Sequence, residues 1–231
     1  MQKKSSFAPR RGVKIGLLLL IPAVVILGSV AFQGRRYAFV SLAAAVLICG
    51  AFILSFEQKE AGARKMILTA VMTALCVCGR FVFAPLPGVK PVTALVVITG
   101  MFLGGEAGFL TGALTALISN MSFGQGPWTP FQMLAWGLCG LAAGWLSRPL
   151  KSSRMLLLSY GALAGVVFSL LMDLWSVLWQ TGGFNAALFV ALTVTALPTT
   201  LTYAVSNVLF LLVLGGPFGK KLERIQIKYG C

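Results

Sequence analysis

Long apolar runs alternate with short polar segments along the whole chain. The runs cover residues 15–32, 37–56, 66–84, 92–103, 108–121, 131–146, 155–179 and 186–214. About 20 apolar residues in a helix cross the ~30 Å hydrocarbon core of a bilayer. In lipid the backbone must satisfy its own hydrogen bonds, which a helix does within one segment. The pattern therefore predicts an all-α polytopic membrane protein with eight helices. Runs 92–103 and 108–121 are short and read as a hairpin broken at Gly104-Gly105-Glu106-Ala107-Gly108. Pro85 and Pro87 end the helix before that hairpin, since proline lacks the amide a helix needs. Pro198 is expected to kink the last run, with Thr199, Thr200 and Thr202 placed to satisfy freed backbone groups.

Composition agrees with the pattern. The 231 residues are 58% hydrophobic and 10% charged, with a mean hydropathy of +0.91, far from a soluble domain. The net charge of +14 raises nucleic acid as a partner, but the positions of the charges exclude it. Lys3, Lys4, Arg10, Arg11 and Lys14, then Lys59, Arg64 and Lys65, then Arg148, Lys151 and Arg154, and finally Lys220, Lys221, Arg224 and Lys228 fall on one side of the membrane. Only Arg35, Arg36 and Lys90 fall on the other. Cytoplasmic loops carry the excess of Lys and Arg, so both termini are expected in the cytoplasm. Ser29-Val30-Ala31 resembles a signal-peptide cleavage site, but Arg35 and Arg36 just beyond it favour an uncleaved helix. The polar linker 57–65 divides the chain into a basic tail with a two-helix membrane extension, 1–62, and a six-helix core with a basic tail, 63–231.

Gly100, Gly104, Gly108 and Gly112 fall four apart, continued by Ala116 and Asn120. Such a row lets helix backbones approach closely in lipid, which is packing before it is function. Two charges lie well inside runs, Arg80 and Asp173, where a charge is costly. Both fall in the outer half, so they are expected to pair or to face one polar cavity. Lys90, Asn120, Gln125, Trp128, Gln132, Trp175, Trp179, Gln180 and Asn185 gather on the same side. Tryptophans there form an aromatic belt in many membrane proteins; beside two buried charges and a Gly/Pro loop they also suit a small-molecule site. Ala70 and Ala74 make a small-residue face in the opposite half of their helix. Without any histidine, a Ser-His hydrolase is excluded, and neither the missing histidines nor the scattered cysteines favour a zinc site. Cys76 and Cys78 point in different directions and form no chelating pair. Gly215-Gly216-Pro217-Phe218-Gly219-Lys220 lacks the spacing of a phosphate-binding loop.

Ala70-x-x-x-Ala74, Gly79-Arg80, Lys90-Pro91-Val92-Thr93, Gly104-Gly105-Glu106-Ala107-Gly108 and Phe123-Gly124-Gln125-Gly126-Pro127-Trp128-Thr129-Pro130 occur in this order. Together they resemble the substrate-binding S component of energy-coupling factor (ECF) transporters, over about residues 63–221. The resemblance implies a six-helix S-component-like bundle, here preceded by two extra transmembrane helices. It implies a vitamin-uptake subunit of an ABC-type importer with no ATPase, catalytic residue, metal or cofactor of its own. Its partners would be a transmembrane T component, met through Ala70 and Ala74, and two cytoplasmic ATPases. A vitamin or related micronutrient would bind at the outer side, with a lean toward cobalamin-type compounds. Candidate ligand contacts are Arg80, Lys90, Asn120, Gln125, Trp128, Gln132, Asp173, Trp175 and Trp179. A stand-alone secondary transporter using Arg80 and Asp173 for coupling is the alternative, without an evident inverted repeat.

Overall fold

The computed structural model describes residues 60–229. The expected helices at 15–32 and 37–56 lie outside the described residues. The rest begins with α1, Glu60–Val82, followed by the short α2, Val92–Leu103, and by α3, Gly105–Phe123. Next come α4, Thr129–Trp145, and α5, Ser147–Ser152. The chain then runs through α6, Arg154–Thr181, α7, Ala186–Thr195, and α8, Leu197–Tyr229. Helices α1, α6 and α8 are long and apolar enough to cross a bilayer. The protein is a polytopic membrane bundle.

Helix α2 sits at the centre, touching α1, α3, α4, α5, α6 and α8. It is buried at every position but Phe102, so it shows no polar face. The turn into α3 is made by Gly104 at φ +94°, a conformation that side chains avoid. The expected break falls here, one residue wide. Beyond it the glycine row meets a second row on α4. A Cβ on Gly108 would lie 2.6 Å from the Gly140 carbonyl oxygen, and one on Gly112 would strike the backbone of Trp136. Gly100 faces Gly140, and Gly144 faces Gly105, in the same way. Backbone therefore lies against backbone along the α2–α3–α4 seam, where dispersion does the work that the hydrophobic effect does in water. Buried threonine hydroxyls return their protons to carbonyls one turn back, as Thr73 does to Thr69 and Thr99 to Leu95. These helices thus leave few polar groups unsatisfied.

Three expectations on the second half need correction. The single run 186–214 divides at Ala196 into α7 and α8, because Pro198 removes the amide that would bond to Val194. Thr200 and Thr202 hydroxyls donate to Ala196 and Pro198 carbonyls beside the break, as the sequence suggests. Helix α8 does not stop at Leu214; it continues through Pro217 and takes up the basic tail as far as Tyr229. The basic segment 147–154 holds the short helix α5, pinned by the buried Leu150.

Candidate ligand-binding site

A polar network closes the end of the bundle where α1 and α3 finish and α4 starts. Arg80 is 7% exposed. Its guanidinium donates to Ser119 Oγ and, at 2.7 Å, to Asn120 Oδ1. It also lies over the Phe123 ring at 4.7 Å and near the Trp136 ring at 5.4 Å. Cation–π contact of this kind offsets part of the cost of burying the charge. The fully buried Asn120 in turn donates to Thr129 Oγ1 at 2.9 Å and to Gln132 Oε1 at 2.8 Å. Gln125 closes the network: Thr129 Oγ1 donates to its Oε1 at 3.0 Å, and its Nε2 donates to the Leu117 carbonyl.

The pairing expected between Arg80 and Asp173 is not formed. Arg80 Nε and Asp173 Oδ2 are both buried without a hydrogen-bond partner. Asp173 faces Thr193 of α7 instead, short of a completed hydrogen bond. Arg80 points across α3 toward α4 and Asp173 is set against α7, yet both charges lie within electrostatic reach of Tyr203 on the cavity wall, in line with the other expectation, that they face one polar cavity. Their shared outer half is legible in the sequence; the neighbours each side chain meets are not.

Behind Gln132 lies a cavity of about 150 Å³ between α2, α4, α6, α8 and the 83–91 loop. Trp136, Phe168 and Tyr203 give it an aromatic wall. Trp136 and Phe168 stack at 5.1 Å, and Tyr203 meets Phe168 edge-on at 5.4 Å. Lys90, Thr93, Gln132 and Asn207 supply its polar groups, and Met172 and Gly165 complete it. Lys90 is held in place by its backbone amide, which donates to Ser206 Oγ at 3.1 Å. Burial pushes the Lys90 ammonium below its ordinary pKa, and the nearby Arg80 charge adds to that. Asn207 Nδ2 donates to the Gly161 carbonyl at 3.1 Å.

Of the sequence candidates, Lys90 and Gln132 line this cavity, while Arg80, Asn120 and Gln125 brace it. Trp128 and Trp175 pack edge-on at 6.0 Å outside it, and Trp179 is 41% exposed beyond them. Thr93, Tyr203 and Asn207 escaped residue-level reasoning. The signal in the sequence that marks such a residue is an amide inside an apolar run, as at Asn207. On α1, Ala70 and Ala74 are both exposed.

Residues 61–224 match the family model described as ECF-type riboflavin transporter, S component. The chain belongs to the ECF S components. The match covers most of the chain and agrees with the order of motifs in the sequence. No curated protein and no solved structure matches the chain. This S component is a membrane transport subunit that binds a substrate, and its ligand is a separate question.

Proposed function

We propose that this S component binds a flat, hydrogen-bonding micronutrient of the flavin type in the Trp136–Phe168–Tyr203 cavity. It passes the ligand on with a T component and two ATPases. The cavity carries the reading. A cavity of ~150 Å³ elsewhere takes one benzene-sized ring; this one suits the insertion of one edge of a flat ring system, with a modest opening of the 83–91 loop for the rest. A cobalamin-type ligand is far bulkier than the space between these helices. The lean toward it comes only with the family resemblance, and the Gly/Pro/Trp outer loop, compatible with a large ligand, is short at residues 124–128. Stacked aromatic side chains match a heteroaromatic face, while Lys90, Gln132, Thr93 and Asn207 match a rim of carbonyl and ring-nitrogen acceptors. The riboflavin name of the matching family favours the same ligand class.

The proposed orientation keeps the cavity outside and both termini inside, following the Lys/Arg distribution. The exposed Ala70–Ala74 face then lies toward the cytoplasmic half, where a T-component helix has room to approach. Titration of riboflavin with the purified protein tests the ligand. Saturable quenching of flavin fluorescence at one site per chain, not competed by cobalamin, is the expected result. Absence of quenching, with cobalamin retained through purification, overturns the reading.

A further inference from the structure

At the end of the bundle opposite the ligand cavity, α2, α5, α6 and α8 enclose a second pocket of about 390 Å³. Its walls are apolar, with Ile98 and Phe102 on α2, Leu157 and Leu158 on α6, and Leu212 on α8. Two glycines open it. Along the α2–α3–α4 seam glycine brings backbones together, but a Cβ on Gly216 would meet nothing within 4 Å, and one on Gly215 only Leu157 at 3.7 Å. Gly215 and Gly216 therefore leave a gap in the side of α8 at membrane depth, one that no helix among the described residues fills. At the mouth stand Lys151 and Arg154. Lys151 Nζ is held 4.2 Å above the Phe102 ring, and Arg154 forms no ion pair among the described residues. Glu223, on α8, is the acid at this mouth. Counted over the lining residues alone, two cations and one carboxylate leave a net charge of +1.

We infer that this pocket is a binding site for an anionic phospholipid with a phosphodiester headgroup, such as phosphatidylglycerol. A basic mouth over an apolar cleft between membrane helices is the geometry that holds acidic lipid headgroups on the cytoplasmic side. The acyl chain fills the gap at Gly215 and Gly216, and the phosphodiester sits between Lys151 and Arg154. One net positive charge matches its single negative charge. The inference stands apart from the flavin reading, since the two pockets share no residue and lie at opposite ends.

The test is native mass spectrometry of the full chain, extracted in mild detergent and offered phosphatidylglycerol or phosphatidylcholine. The expected result is one retained phosphatidylglycerol and at least ~10-fold weaker retention of phosphatidylcholine, a difference of about 1.4 kcal/mol. Lys151→Gln with Arg154→Gln is expected to abolish that preference. Gly216→Leu is expected to remove the retained lipid altogether while delipidated wild-type and variant protein unfold alike, because the new side chain meets no protein atom. Equal retention of the two lipids, or retention that survives Gly216→Leu, overturns the inference. Displacement of the lipid by inorganic phosphate overturns it too, because a free anion would then be the ligand. So does a wild-type chain that holds no lipid but loses T-component association on Gly216→Leu, because the pocket would then be a protein-docking groove.

Discussion

Arg80 donates to Asn120 Oδ1 at 2.7 Å, tying the far end of α1 to that of α3. Asn120 carries the connection to Gln132 on α4, at the cavity wall. The helix bearing the Ala70–Ala74 face is thus joined to the cavity through two polar side chains. Arg80→Met is expected to destabilise the protein by about 1–3 kcal/mol, the cost of leaving a buried acceptor unsatisfied. Asp173→Asn is expected to cost nothing comparable. Breaking a true buried ion pair would cost ~3–5 kcal/mol, and Asp173 is in no such pair. Thermal unfolding of the two variants in detergent distinguishes these cases, and a large loss in Asp173→Asn would contradict the geometry.

The cavity residues make a second set of expectations. Asn207→Leu and Tyr203→Ala are expected to weaken riboflavin binding by roughly 10- to 100-fold, about 1.4–3 kcal/mol. Trp179→Ala is expected to leave it unchanged, because that side chain lies outside the cavity. Fluorescence titration of the three variants checks the contrast; equal losses in all three would place the site elsewhere.

Lys90 gives a pH prediction. Its folded pKa lies below the ordinary 10.5 through burial first and the Arg80 charge second. The fold therefore disfavours charged Lys90, and that cost is present in full at pH values below the folded pKa. It is relieved as pH rises through the folded pKa toward 10.5. Wild-type protein is expected to gain stability relative to Lys90→Met across this alkaline window. Parallel melting curves at stepped pH read the difference, and a flat difference would refute the assignment.

Ala70→Leu and Ala74→Leu together are expected to abolish T-component pull-down and uptake while leaving riboflavin affinity intact. Both positions are exposed, so neither change disturbs the bundle's own packing; each instead blocks close helix approach. Unimpaired pull-down and uptake in the double variant would remove this face from the coupling role.

Orientation is checked by reporters fused after Ser152 and after Gly183. Cytoplasmic signal from the first and external signal from the second are expected from the Lys/Arg distribution. The reversed pattern would turn the proposed cavity to face the cytoplasm.

The membrane class, the broken α2–α3 hairpin and the glycine seam were legible in the sequence, because each follows from a local property of the chain. Run length measures the bilayer, proline and paired glycines punctuate helices, and a four-residue period marks one face. Position along the helix is also legible, since rise per residue is fixed; Arg80, Asn120 and Gln132 meet in one hydrogen-bonded network, and Lys90 and Gln132 line one cavity. Direction around the bundle was decided only by tertiary packing. Arg80 hydrogen-bonds to α3 while Asp173 is set against Thr193 of α7, and Trp179, two turns beyond the cavity-lining Met172 on the same face of α6, lies past the cavity. The partner row on α4, which receives Gly108 and Gly112, comes from a crossing angle that no period in the chain specifies. The aromatic wall joins residues 136, 168 and 203 from three helices. Their meeting depends on how α4, α6 and α8 close around the buried α2, and close packing of whole helices decides that.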